Sequence, residues 1–230
     1  MSKPMTYAES GVNYNMLDPF KRLCQRAAMH LTDVHQSLGG SNFQEIAWTR
    51  GESAYAIRLP GGRILLHVEE GLGTKNLVAD AMYQLNGRSY YDQIAQDTVA
   101  SGDWFEDLNR SQDLVEGWKQ ACETCNAFWS GGETPSLKGV IVPGTALLSG
   151  SATGYAVREE NLINPIRVKP GDAIVIVESS GIHANGLTLA REIASKLPQG
   201  YMTVLPSGRT YGDVLLDPTH LYSPLIGDIV

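Results

Sequence analysis

Between Ile64 and Leu85 the chain passes within a few residues from the pattern of a strand to that of a helix. The apolar run Ile64-Leu-Leu-His-Val68 predicts a buried strand, and it stops at two carboxylates, Glu69 and Glu70. Gly71-Leu-Gly73 predicts a turn, followed by Thr74, Lys75 and a helix over 76–85. Glycines in such a turn let backbone amides approach phosphate oxygens, and the helix N-terminus favours negative charge. Adjacent carboxylates suit Mg2+, which takes oxygen ligands and shares them with phosphates. The stretch therefore suggests a nucleotide site. The spacing G-x-x-x-x-G-K-S/T of a phosphate loop is absent, and an ordinary strand-to-helix turn uses the same residue types.

The rest of the chain repeats this grammar. Ser130-Gly-Gly-Glu-Thr-Pro135 again places a carboxylate and a hydroxyl after paired glycines. Ala173-Ile-Val-Ile-Val177 predicts a fully buried strand running into Glu178-Ser-Ser-Gly-Ile-His-Ala-Asn-Gly186 and a helix with Leu189, Ile193 and Leu197. Ser179, Ser180, His183 and Asn185 stand as donors at that helix mouth, where a phosphate fits. This is the third glycine turn of the chain.

Other elements follow from local signals. Asp18 as N-cap and Pro19 at the first helical position predict a helix with Phe20, Leu23, Ala27 and Leu31 on one face, ended by Gly39-Gly40. Residues 54–59 and 63–68, around Pro60-Gly-Gly62, predict a hairpin. Residues 91–100 predict a helix carrying Asp97, and Asp103 with Glu106 predicts the start of a longer one. Cys122 and Cys125 lie one turn apart on that longer helix; with no second pair of ligands they read as packing residues rather than zinc ligands. Residues 139–142 and 146–157 predict strands. The polar stretch 158–170 predicts a boundary between a domain of residues 1–157 and one of residues 158–230.

Composition narrows the function class. A net charge of −7 without a long basic run argues against nucleic acid as the main partner. The longest apolar runs are strand-sized, so none is expected to span a membrane, and MSKPMTYAESG lacks the apolar core of a signal peptide. Three cysteines do not suggest a disulfide framework, and the expected compartment is the cytoplasm.

Six motifs, in order, carry a resemblance. Tyr7-x-x-x-Gly11-Val12 is similar to Y-x-x-A/S-G-V, and Glu70-Gly-Leu-Gly-Thr-Lys75 to D-G-V-G-T-K. Ile94-Ala-Gln-Asp97-Thr-Val-Ala100 is similar to I-G-x-D-x-V-A-M, and Gly131-Gly132-Glu133-Thr134 matches G-G-E-T. Ser179-Ser180-Gly181-Ile-His183-Ala-Asn185-Gly186 matches S-S-G-x-H-S-N-G, and 215–222 matches L-L-x-P-T-x-x-Y. These patterns belong to the aminoimidazole ribonucleotide (AIR) synthetase family, the phosphoribosylformylglycinamidine cyclo-ligases. The resemblance implies two α/β domains. The N-terminal domain would carry a mixed sheet that closes a barrel across a homodimer, with ATP and Mg2+ near that interface. It implies an ATP-dependent ring closure of a phosphoribosyl amidine, formylglycinamidine ribonucleotide, in purine synthesis.

The family likeness then assigns roles. Glu70, Asp97 and Glu133 would hold Mg2+. Lys75 would pair with phosphates, and Gly71, Gly73, Thr74, Gly131, Gly132 and Thr134 would complete the ATP cradle. Ser179, Ser180, Gly181, His183 and Asn185 would contact the substrate, with Lys75, His183 and Asn185 nearest the chemistry. Three features depart from the pattern. Glu70 stands where Asp is usual, Ala100 runs into Ser101-Gly-Asp with about two dozen expected residues missing, and the later glycine-rich elements of the second domain are not in the sequence. The expectation is a piece of a longer protein, or joined segments of one. Related enzymes, a thiamine-phosphate kinase or a selenophosphate synthetase, share the site; Cys24, inside a predicted helix, does not fit the reactive cysteine of the latter. A non-catalytic nucleotide-binding relative is the third reading.

Overall fold

A computed structural model describes Thr6, Ser10, residues 14–37, 43–94, 98–100, Trp104, 106–131 and 141–229. Of the sequence features above, Tyr7, Gly11, Val12, Gly39, Gly40, Asp97, residues 101–103, Gly132, Glu133 and Thr134 lie outside these residues. Strands and helices mix along the chain, as the sequence predicts. They form two compact units, one of Met1–Val12, Glu70–Gly150 and Val177–Val230, the other of Asn13–Glu69 and Ser151–Ile176. Among the described residues no helix is long and apolar enough to cross a membrane.

In the unit built on Asn13–Glu69, helix α1 spans Tyr14–Ser37 and contains Pro19. The sequence placed the helix start at Asp18, because proline lacks the N–H an interior position donates; the structure carries a further turn ahead of it. Strands β1 (Gln44–Glu45), β2 (Tyr55–Arg58) and β3 (Ile64–Gly71) pair antiparallel, Tyr55 opposite His67 and Arg58 opposite Ile64. The predicted hairpin is present. Its loop needs φ of 85° at Gly61 and 84° at Gly62, which glycine adopts without a Cβ clash. Ile46, Ala56, Ile64 and Leu162 form a small core with Trp48, Leu66 and Ala156 against it. Buried Thr49 ties it together, its hydroxyl donating to the Ile46 carbonyl at 2.8 Å and accepting from the Ala56 amide at 3.0 Å.

The strand-turn-helix unit predicted from residue 173 onward is incomplete. Residues 173–177 are not a strand, and Ile174, Val175 and Ile176 are 91%, 83% and 85% exposed. An apolar run becomes a buried strand only when a neighbour supplies its ladder, and no described strand pairs with this one.

The unit containing the glycine turns has the larger core. Helix α2 (Lys75–Asn86) buries Val78, Ala79 and Met82 and ends at Gly87, whose φ of 72° closes it. Residues 91–100 were expected to be one helix. They instead form α3 (Tyr91–Ile94) and strand β4 (Thr98–Ala100), which pairs antiparallel with β5 (Ala146–Ala156), Thr98 opposite Leu148. The β-branched Thr98 and Val99 favour this outcome. Helix α4 (Leu108–Thr124) is capped by Asp107, not Asp103: its carboxylate accepts from the amides of Asn109 and Arg110. Cys122 and Cys125 lie on and after its last turn and are not joined in a disulfide. Helices α5 (Leu187–Ala194), α6 (Tyr211–Leu215) and α7 (Ser223–Ile229) complete the unit. Leu72, Val78, Met82, Tyr91, Trp104, Leu148, Leu187, Ala190 and Leu216 meet in one buried cluster.

A buried polar knot fastens α2 to α4. One oxygen of Asp80 accepts from Tyr91 Oη at 2.9 Å, Trp104 Nε1 at 3.2 Å and Arg110 Nη1 at 3.2 Å. The guanidinium of Arg110 lies 5.1 Å from the ring centres of both Trp104 and Tyr83. Burial raises the Asp80 pKa despite these partners.

Candidate functional site

The first glycine turn leaves β3 at Glu70, and the second enters α5 at Gly186; the core sets both in one unit. Leu72 is the anchor of the first. Its side chain is buried in the core and its amide donates to the Leu148 carbonyl at 2.9 Å. Gly73 follows with φ of 69°, and a Cβ there would stand 4.0 Å from the Ala184 carbonyl of the second turn. Ile182 and Ala184 pack against the same core that holds Leu72 and Leu187. The two turns are therefore neighbours.

A third segment, residues 215–222, joins them. Leu215 and Leu216 are buried, which pins the start of the segment. Lys75 Nζ donates to the Asp217 carbonyl at 2.9 Å, and Ser180 Oγ donates to the next carbonyl, that of Pro218. Tyr222 Oη reaches back to the Glu178 carbonyl at 2.8 Å. Arg209 forks onto the Asp217 carboxylate at 2.9 and 2.6 Å.

The predicted residues that are described each have a definite place. Glu70 and Gly71 are exposed at the end of β3. Thr74 occupies the N-cap position of α2 without a side-chain cap bond, and its Oγ1 is buried with no partner among the described residues. A buried hydroxyl without a partner is costly, so it marks a position where a further acceptor or donor fits. Lys75 is 1% exposed, its ammonium aimed at a backbone carbonyl beneath the turn rather than out over it. Burial lowers its pKa to about 8, against the opposing pull of Asp217. Gly131 is exposed with φ of 127° and open space around it.

The second turn holds His183 with φ of 54°, a conformation rare for a residue with a Cβ and common at functional turns. Its Nε2 accepts from the Ser180 amide at 3.2 Å, which leaves Nδ1 as the ring nitrogen able to donate. The turn thus presents an imidazole donor. Around it stand His220, with ring centres 6.5 Å apart, and Tyr222, at 6.2 Å. Ser179 and Asn185 are exposed, and Ser179 Oγ donates to the Gly181 carbonyl at 3.0 Å.

The donor set fits a phosphate group at the first turn: a glycine of positive φ, the free amides of an α2 N-terminus and an unsatisfied hydroxyl. Of the three acids expected around Mg2+, only Glu70 is described; its exposed carboxylate is the oxygen ligand that ion takes. No cluster of three metal-ligating side chains occurs among the described residues. Asp217, Pro218, His220, Tyr222 and Arg209 were not among the predicted site residues. The first four lie in the last of the six motifs, which was available as a signal; Arg209 carried none.

No protein-family model matches the chain. Phosphoribosylformylglycinamidine cyclo-ligase of Carboxydothermus hydrogenoformans is 31% identical over 245 residues, covering 98% of this chain and 68% of that protein. The protein of the same name from Sorangium cellulosum is 29% identical over 96% of this chain and 66% of its own length. The human trifunctional purine biosynthetic protein adenosine-3 is 30% identical over 96% of this chain, which spans 23% of that larger protein. The Carboxydothermus match runs over 245 residues against a chain of 230, so that relative carries residues within the matched span that are missing here.

Proposed function

Because the chain belongs to the phosphoribosylformylglycinamidine cyclo-ligase family, we propose that it serves purine synthesis by closing the imidazole ring of AIR at the expense of ATP. The observation that carries this reading is the convergence of the two glycine turns on one segment, through Lys75 to Asp217 and Ser180 to Pro218. Three of the motifs that define the resemblance thereby become one place.

The chemistry follows from the donors. The formyl oxygen of the amidine takes the γ-phosphoryl group of ATP and ADP leaves. The internal nitrogen attacks the formyl carbon, the carbon–oxygen bond breaks, and that oxygen departs on inorganic phosphate. Amides of Gly71, Gly73 and Thr74, with the Thr74 hydroxyl, bind phosphate oxygens where negative charge is spread over them in transfer. Lys75 braces the turn from below and lends it positive charge through the interior. His183 and Asn185 hold the substrate, His183 by its Nδ1–H, since its other nitrogen is engaged by Ser180. Glu70, with Asp97 and Glu133, would hold Mg2+, which would offset the triphosphate charge. On the same reading the protein is a cytoplasmic homodimer, with residues 1–157 on the ATP side and 158–230 on the substrate side.

Release of ADP tests this. With Mg2+ and ATP, formation of ADP should depend on formylglycinamidine ribonucleotide and fall by about a hundredfold in His183→Ala. ATP bound without substrate-dependent turnover would move the reading to a relative with another substrate or to a binding protein.

A further inference from the structure

Arg209 belongs to none of the motifs, yet it grips the segment on which both turns rest. Its Nη1 donates to Asp217 Oδ2 at 2.9 Å and its Nη2 to Oδ1 at 2.6 Å, while Nη2 also reaches the Asp213 carbonyl at 3.1 Å. Asp217 occupies the one place in L-L-x-P-T that the pattern leaves open. The backbone of the same residue takes Lys75 Nζ at 2.9 Å, and the following carbonyl takes Ser180 Oγ. A Cβ on Gly181 would stand 3.8 Å from Asp217 Cβ, so the residue also packs on the second turn.

We propose that Arg209 is a positioning residue that acts through Asp217, fixing the two carbonyls that set the first glycine turn against the second. The proposal rests on the reading of those turns as the ATP and amidine sites. Its physical basis is geometric. A bidentate fork fixes both the distance and the plane of a carboxylate, which a single charge does not. The pair is half exposed on the arginine side, so its contribution to stability is small and its removal leaves the fold intact. Orientation is where its loss shows. A displacement of about 1 Å in a positioned group costs on the order of a hundredfold in rate.

The test uses the full chain and the variants Arg209→Ala, Arg209→Lys, Asp217→Asn and the Arg209→Ala/Asp217→Asn double variant. Two readouts are taken: kcat and KM for substrate-dependent ADP release, and amide hydrogen exchange over 179–186 and 215–222. Arg209→Ala should lower kcat/KM by about tenfold or more, with kcat itself reduced. Exchange should quicken in both segments. Lysine, which offers one point donor in place of a fork, should recover part of each loss. The double variant should be no worse than Arg209→Ala, because both changes remove one interaction. A kcat/KM within about twofold of the parent, additive losses, or unchanged exchange would each overturn the assignment. A parent protein that binds ATP but does not turn over this substrate refutes the cyclo-ligase reading alone, and exchange then decides the role of Arg209.

Discussion

Burial of the Lys75 ammonium makes its protonation a stability question. The folded pKa, about 8, lies below the ordinary value of 10.5. Below pH 8 both states carry the charge, and the folded one bears its desolvation. Between pH 8 and 10.5 the unfolded chain binds more protons, so folding gains as pH rises, by up to roughly 3 kcal/mol. Lys75→Met keeps the apolar stem and cannot titrate. Urea unfolding at pH 7 and pH 10 should therefore show the parent gaining on the variant; a constant difference would mean that Lys75 is not desolvated. The sequence marked Lys75 as a partner of phosphates. A lysine after a glycine turn reads as a phosphate ligand, and only packing reveals the carbonyl of Asp217, 142 residues away, that draws it inward.

Element by element, close approach explains what side-chain patterns do not. A Cβ on Gly117 of α4 would lie 2.4 Å from the Asp92 carbonyl oxygen of α3, backbone against backbone. One on Gly212 of α6 would lie 2.1 Å from Met82 Sδ, the end of a flexible side chain. Gly117→Ala should therefore destabilise by about 2–3 kcal/mol and Gly212→Ala by about 1 kcal/mol, measured by chemical denaturation. Equal losses would show that the α3–α4 contact yields as readily as a methionine. Periodicity made the 54–68 hairpin and α2 legible because their partners are near in sequence. It misplaced the cap of α4, since Asp103 and Asp107 both precede the helix in sequence and Asp107 accepts from its first amides. The run at 173–177 carries a strand pattern, yet strand pairing depends on neighbours that the pattern does not contain.

For the whole molecule, the chain follows a longer-range logic. The unit with both glycine turns is assembled from three separate stretches of sequence, and its core joins Leu72, Leu148, Leu187 and Leu216. Motif order made the two turns and the 215–222 segment recognisable from residues alone. Their meeting was not legible, because it depends on one lysine, one serine and two backbone carbonyls. The central claim is that this place moves the formyl oxygen onto phosphate. Turnover of formylglycinamidine ribonucleotide labelled with 18O at the formyl position, followed by 31P NMR of the released phosphate, tests it most directly. The account predicts one 18O in each phosphate formed. Phosphate free of label, with AIR still produced, would contradict it.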